Sequence, residues 1–392
     1  MVREQFLKTI QKFSMVKKGE TILAAVSGGL DSTSLLYLLN EIRASWKLRL
    51  IILHVNHQLR GKASIRDEMF VKGLGRKFGI PVYAARVSVR EKAKDEKISI
   101  EEAARMLRYD FFEKMIKAKH GNKVALAHTQ DDQAETVLMR IIMGTGLQGL
   151  QAIRPKRKLN GAYLIRPLIE ISRKEVHKFA KAQKIRFRED RSNRSVKYLR
   201  NRIRKNLLPL LEKSFNPQVK RALARLPHLL DVDLAFLDET ADLFYKQLAI
   251  TKQGGIILFK KRPFMRLSPS IQYRLLERAL KILAGAELDF GHWNAFLERL
   301  RTQNHFRLQF PKRLLVSVSG EAVRIMRSSR AFEGFSYALP EERELYIPEI
   351  DTKFVCEKLA RKPRLIKKTD KSFELFDGEK LAFPLTVRTR KQ

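Results

Sequence analysis

Six consecutive residues, Ser27-Gly28-Gly29-Leu30-Asp31-Ser32, combine flexible backbone, two hydroxyls and a carboxylate. They follow the apolar run Thr21-Ile22-Leu23-Ala24-Ala25-Val26 and lead into a helix-like stretch ending near Asn40. A strand that enters a helix through glycines leaves backbone N–H groups pointing outward at a helix N-terminus, which is a ready anion site. No lysine follows the glycines, so this is not the Gly-x-x-x-x-Gly-Lys-Ser/Thr loop that grips a β–γ phosphate pair. Asp31 would repel a phosphate unless a divalent cation lay between them, so the loop suits Mg²⁺-bound pyrophosphate as a leaving group. A serine–glycine turn with an aspartate cap is the other reading of so short a string.

A second group with chemical capacity is Ala127-His128-Thr129-Gln130-Asp131-Asp132-Gln133-Ala134-Glu135. On a helix beginning near Asp131, Asp132 and Glu135 share a face. Val137, Leu138, Ile141 and Ile142 then fall opposite and are expected to pack on a sheet. Asp31 and Asp132 together could hold Mg²⁺ through one or two carboxylates plus phosphate oxygens. His128 could contact phosphate or transfer a proton. Acids in a first helical turn also complement the helix dipole, which is the alternative for an isolated helix. The string Gly144-Thr145-Gly146-Leu147-Gln148-Gly149 follows a helix rather than a strand, so it predicts a helix stop and reversal and no nicotinamide site. Between positions 186 and 205 stand seven arginines and two lysines, with Phe187 and Tyr198 interleaved. That pattern suits a phosphate backbone and a splayed base, although a solvated helix face accounts for several of the arginines.

The elements that must position these residues alternate. Short apolar runs at 22–26, 50–55, 82–87 and 124–127 are separated by amphipathic stretches at 32–44, 65–78 and 100–119, with another at 131–143. This is the pattern of an α/β fold with a parallel sheet covered by helices on both faces. Ligands gather at the carboxyl ends of such strands, which is where the glycine loop, Asn56-His57, Ser88 and the His128 segment fall. The fold class is therefore a parallel-sheet nucleotide-binding domain, then a helical domain, then a small α+β domain. The expected boundaries are 1–215, 216–310 and 311–392. Within the later regions, long helices are expected at 222–249 and 271–283, and a hairpin joins 314–318 to 322–326 around Ser319-Gly320.

Composition narrows the partners. The 392 residues hold 79 Lys plus Arg against 42 Asp plus Glu, a net charge of +37, and such a surface expects a polyanion, nucleic acid first. Cys356 is the only cysteine, which excludes a disulfide framework and a Cys-x-x-Cys redox or zinc site within the chain; it reads as a buried small residue. The first residues lack a signal-peptide core and no run approaches the ~20 apolar residues of a bilayer span. A cytoplasmic protein is expected.

Further stretches carry a resemblance: His54-Val55-Asn56-His57-Gln58-Leu59-Arg60, Glu101-Glu102-Ala103-Ala104-Arg105-Met106-Leu107-Arg108-Tyr109, and Arg200-Asn201-Arg202-Ile203-Arg204. With residues 27–32, 128–135 and 144–149, in this order, they resemble the tRNA(Ile)-lysidine synthetases of the PP-loop ATP pyrophosphatase superfamily. The resemblance covers about the first 210 residues strongly. It implies a ligase that adenylates the cytidine at the first anticodon position of a tRNA(Ile) with anticodon CAU. Free lysine then displaces AMP to form lysidine. Carried over, it assigns Ser27, Gly28, Gly29, Leu30, Asp31 and Ser32 to ATP, and Asp31 and Asp132 to Mg²⁺ and phosphate. Arg108 and His128 flank the nucleotide, Asp132 and Glu135 anchor lysine, and Arg200, Arg202 and Arg204 bind tRNA; a second copy of the chain stays open as a partner. Two departures stand out: Asn56 replaces a frequent aspartate, and the end from Phe383 resembles the start of the family's last domain, so the third domain is expected to be incomplete. Thiolases that need paired cysteines are excluded. A noncatalytic RNA binder would gain nothing from acids facing a polyanion.

Overall fold

A computed structural model of the protein describes residues 2–119, 121–188, 199–252, 255–327, 336–341, 343–347, 352–359, 379 and 381–388. Two compact units emerge, Met1–Leu237 and Asp238–Gln392.

The first unit begins with α1 (Val2–Lys12) and alternates β1 (Thr21–Ala25), α2 (Leu30–Arg43), β2 (Arg49–Asn56), α3 (Lys62–Phe78) and β3 (Val82–Arg86). Then come α4 (Val89–Asp95), α5 (Ile100–Lys119), β4 (Lys123–Ala125), α6 (Gln130–Ile142) and α7 (Leu147–Leu150). A hairpin of β5 (Lys156–Leu159) and β6 (Ala162–Ile165) precedes α8 (Arg173–Ala182). The sheet order is β3-β2-β1-β4-β6-β5. All neighbours are parallel except the β5–β6 hairpin. After β3 the chain crosses back over β1 to lay down β4, so the order reverses between β1 and β4. Their carboxyl ends therefore open on one crevice, the usual ligand position of such sheets.

Side chains alternate between the two faces of β1, as the pleat requires. Ile22 and Ala24 join a core with Phe6, Leu35, Leu39, Val176 and Phe179 on one side. Leu23 faces the other, with Phe112 and Met115 of α5 and Leu53 of β2. Both faces of the strand are buried, which is why its sequence reads as a continuous apolar run.

Three expectations need correction. Ile141 and Ile142 are 47% and 50% exposed, whereas Val137 is fully buried. A three-residue β4 is about 10 Å long, so it cannot cover a thirteen-residue helix of about 20 Å. The glycine string after α6 does reverse the chain through Gly144 (φ +72), but Gly146 also caps the single turn of α7. Cys356 is only half-buried.

The first unit continues through α9 (Leu199–Arg202), a π-helical turn (Ile203–Leu207) and α10 (Leu208–Ser214). The long α11 (Val219–Leu248) follows. In the second unit, β7 (Ala249–Lys252), β8 (Ile256–Lys260), β9 (Phe306–Phe310), β10 (Leu314–Ser319) and β11 (Ala322–Arg327) form one antiparallel sheet, ordered β7-β8-β11-β10-β9. The expected hairpin is its β10–β11 pair, and the sheet runs across the anticipated boundary at 310. Helices α12 (Lys261–Met265), α13 (Pro269–Ala284) and α14 (Phe290–Thr302) accompany it, with Phe264 packed between Phe259 and Phe296. Two small pairs complete the described chain: β12 (Ser336–Leu339) with β15 (Leu385–Arg388), and β13 (Glu344–Ile347) with β14 (Thr352–Val355). Among the described residues, no helix is long and apolar enough to cross a membrane.

Candidate active site

The glycine loop lies between β1 and α2 and is held by its own hydroxyls. Ser27 and Ser32 share a hydrogen bond at 3.0 Å, and Ser32 Oγ also donates to the Gly29 carbonyl at 3.1 Å. Gly28 has φ +91, a backbone angle that side chains disfavour. A Cβ there would lie 3.3 Å from Phe70 and 3.6 Å from Val71. Its carbonyl accepts the Arg188 backbone N–H at 2.9 Å, so the segment after α8 borders the loop. Leu30 opens α2, whose Gly29 cap supplies no side chain to its first N–H groups. Those donors remain for an anion.

Asp31 stands in the first turn of α2. One carboxylate oxygen lies 3.6 Å from Arg173 Nε at the start of α8. The other, Oδ1, is buried with no hydrogen-bond partner among the described residues. Burial pushes this carboxyl up to about 6, with Asp132 and Asp131 adding to the rise while Arg173 and Arg204 oppose it. An aspartate with an orphaned, desolvated oxygen is short of a cation.

Across the crevice, His128 ends the β4 segment. Its Nδ1 accepts from Arg166 Nε at 3.2 Å, which leaves the proton on Nε2. Burial, then the Arg166 charge, drives the imidazole down to about 3. His128 is therefore a neutral hydrogen-bond donor at neutral pH. Arg108, from α5, is half-buried and close enough to lower the pKa of His128 and of His57.

Thr129 and Asp132 build a capping box on α6: Asp132 Oδ2 accepts from the Thr129 N–H and Oγ1, both at 2.9 Å, and Thr129 Oγ1 accepts in return from the Asp132 N–H. One turn on, Glu135 is 2% exposed. Both acids are already paired with this chain's own arginines. Arg200 donates to Asp132 at 3.1 Å and Glu135 at 3.0 Å. Arg204 donates to Glu135 at 2.5 and 2.9 Å and to Asp132 at 3.3 Å. Burial disfavours the Asp132 charge, but Arg200, His128, the Thr129 N–H and Arg204 outweigh it and hold the pKa below the usual range. Arg202, between the two, is exposed.

The crevice thus gathers Ser27, Asp31, Ser32, Arg108, His128, Asp132 and Glu135, with Arg200 and Arg204 inside it and Arg202 facing outward. Glu189, Asp190, Ser192, Asn193 and Tyr198 of the basic segment lie outside the described residues. Asn56 donates to Glu68 at 3.0 Å, a bond an aspartate could not make. Glu68 is held down at about 2, mainly by its hydrogen bonds from Arg86 and Lys72. Sequence reasoning missed Arg166 and Arg173. The capping box Ser172-Arg173-Lys174-Glu175 was a readable helix start, and Arg166 follows the apolar end of β6. Among the described residues, no cluster of three or more His, Cys, Asp or Glu surrounds a metal position.

Residues 2–211 match the family described as the PP-loop domain, the class to which this cradle and strand order point. The chain is 36% identical to the tRNA(Ile)-lysidine synthase of Clostridium tetani over 303 residues, covering 77% of this chain and 62% of that protein. With the tRNA(Ile)-lysidine synthase of Clostridium acetobutylicum it shares 32% identity over 98% of its own length and 84% of the relative's. It therefore belongs to the tRNA(Ile)-lysidine synthases, ligases within the PP-loop family. Among solved structures, the U34-tRNA thiolase NcsA from Methanococcus maripaludis superposes with a TM-score of 0.49 at 20% identity, over 59% of this chain and 78% of that one.

Proposed function

We propose that the protein joins free L-lysine to carbon 2 of the cytidine at the first anticodon position of a cytoplasmic tRNA(Ile) with anticodon CAU, using ATP. The observation that carries this reading is a phosphate cradle whose Asp31 Oδ1 is buried and unpartnered, in electrostatic contact with Asp132. A pyrimidine carbonyl oxygen is a poor leaving group. Its attack on the α-phosphorus of ATP forms a P–O bond and expels pyrophosphate. The lysine amine, having lost a proton to a neighbouring base or solvent, then forms a C–N bond at carbon 2 while the C–O bond breaks and AMP departs.

In this scheme the free N–H groups at the start of α2 and the Ser27 and Ser32 hydroxyls cradle the phosphates. His128, neutral and carrying its proton on Nε2, donates to a phosphate oxygen, and Arg108 contributes fixed positive charge. The orphaned Asp31 oxygen fits Mg²⁺, which when bound neutralises phosphate charge beside that carboxylate. Asp132 is the poorer metal ligand, because its two oxygens already serve a helix cap and two guanidinium groups. Asp132 and Glu135 suit the ammonium or amine of lysine only if they exchange Arg200 and Arg204 for it. Phosphates of the tRNA are natural recipients for the released guanidinium groups. Arg202, already facing solvent, is a simple backbone contact.

The test is ATP-dependent incorporation of labelled lysine into transcripts that differ only at the anticodon. Incorporation with CAU and not with GAU supports the proposal. Pyrophosphate release without lysine transfer would assign a different nucleophile, and no turnover at all would leave an RNA-binding scaffold.

A further inference from the structure

Beside the crevice stands a group of arginines, two of which the scheme above leaves unused. Tyr109 of α5 is half-buried and packs on the fully buried Phe112, with ring centres 6.0 Å apart. The guanidinium carbon of Arg105, one turn earlier on α5, lies 5.0 Å from the centre of the Tyr109 ring. That of Arg157, on the edge strand β5, lies 5.5 Å from the same centre. Both arginines are exposed. Deeper in, Arg166 interacts with Tyr109 and donates to His128 Nδ1 at 3.2 Å. Burial first, with the charges of Arg157 and Arg105 adding to it, brings Arg166 down to about 10. Arg108 is lowered in the same way, by burial and by Arg105. Four guanidinium groups thus gather around one ring, and among the described residues no carboxylate forms an ion pair with any of them. Asp110, next to the ring in sequence, acts on Lys92 of α4.

Exposed arginine side chains have rotamer freedom enough to avoid one another, so like charges collected on one platform point to an anion. A guanidinium held over an aromatic ring spends a face on that contact and keeps its in-plane N–H groups for oxygen acceptors. The place of the group fits a polymer better than a mononucleotide. Helix α5 covers the face of the sheet opposite α2, and the start of α2 supplies the phosphate cradle. Arg157 pairs in register with Leu164, two positions before Arg166. The positive charges therefore run from His128 at the crevice out to the sheet edge. A triphosphate seated in the glycine loop stays at the start of α2, whereas a chain of phosphates can follow that line outward.

We propose that Arg105 and Arg157, held over Tyr109, bind the phosphodiester backbone of the RNA beside the base that enters the crevice, each neutralising a phosphate there. Tyr109 is the positioning residue of this seat. Contacts of this kind fix the register of the RNA and read no sequence. The inference rests on the reading of the crevice as an ATP and tRNA site, and it adds the α5–β5 edge to the surface that holds RNA.

Binding of an anticodon stem-loop, followed against salt concentration, provides the measurement. Arg105→Gln and Arg157→Gln should each lower affinity about fivefold at 0.15 M salt and reduce the salt slope by about 1, and the double variant by about 2. Tyr109→Leu should weaken binding about two- to fivefold with the slope kept, and Tyr109→Phe, which retains the ring, should restore it. ATP binding by the arginine variants without RNA should stay within about twofold of wild type. Methylphosphonates, which remove the charge of one phosphate at a time, locate the contact. Beside the target cytidine they should cost wild type about fivefold and cost the double variant nothing further. Unchanged affinity and slope in the double variant, or methylphosphonate losses that persist in it, overturn the proposal. An equal loss of ATP affinity would place these arginines in the nucleotide site and overturn it likewise. Should a variant melt early, phenylglyoxal modification of wild type decides instead: the stem-loop must protect Arg105 and Arg157 and ATP must not, and modification unaffected by RNA refutes the idea. Failure of the larger reading shows separately, as no lysine incorporation by wild type.

Discussion

Asp31 and Asp132 influence each other across one crevice, yet their surroundings push them in opposite directions. Asp31 is raised to about 6 by burial, while Asp132 is held low by guanidinium groups and a helix cap. Because the folded-state value of Asp31 exceeds its ordinary 3.8, the protonated form is the one the fold prefers. The stability it contributes is fully present below about pH 4 and is lost as the pH rises through 6. Asp31→Asn is therefore expected to be more stable than wild type at pH 8, by up to about 3 kcal/mol. The two should converge below pH 4, as read by denaturant unfolding without nucleotide. The same variant should release no pyrophosphate. Equal stability at both pH values would show that the carboxylate is well solvated. His128 has the opposite sign: its value of about 3 means that its neutral form stabilises above pH 6.5, a contribution lost as acid titrates it. Gly28→Ala tests the loop itself, since its φ and the approach of Phe70 both oppose a Cβ. A loss of about 1–2 kcal/mol with a marked fall in ATP affinity is expected.

Among the elements, the first turn of α6 and the helical run from α9 through the π turn to α10 must be considered together. Glu135 is buried and depends on Arg204 and Arg200 for its compensation. Arg204→Ala should cost roughly 1.5–3 kcal/mol, the usual worth of hydrogen bonds to a charged group, because Arg200 still compensates Glu135; a lowered melting temperature would show it. Arg202→Ala should leave stability within about 0.5 kcal/mol. Its effect belongs in tRNA binding, with a salt slope smaller by about 1. Thr129→Ala should cost about 1 kcal/mol through the lost cap. Strands β1 to β4 were legible as short apolar runs and α2, α3, α5 and α6 as the amphipathic stretches beside them, whereas the single short helix α4 was not read. The β5–β6 hairpin was not read, since Lys156-Arg157-Lys158 conceals an edge strand, although Asn160-Gly161 is a strong turn signal and both residues have positive φ. The arginine pairing was beyond reach: it joins side chains 65 to 72 positions apart, and no local period records such a meeting. Sequence reading found the acids and the arginines and gave them separate tasks, without the fold that brings them together.

At the scale of the molecule, a net charge of +37 means that tRNA affinity should fall steeply with salt, while ATP binding by the loop should change far less. Parallel titrations at two ionic strengths check this, and equal salt sensitivity would assign the excess charge no role in RNA capture. The two guanidinium groups seated on Asp132 and Glu135 also bear on the sequence of events in a catalytic cycle. On the proposed lysine seat, an amino acid that arrives early finds the place taken, and with the phosphates of ATP held by the glycine loop, those of the RNA are left to coax the residents away. Turnover should accordingly be compulsory-order, RNA ahead of lysine, and an enzyme waiting in a cell rich in free lysine would stay idle instead of discharging nucleotide to no purpose.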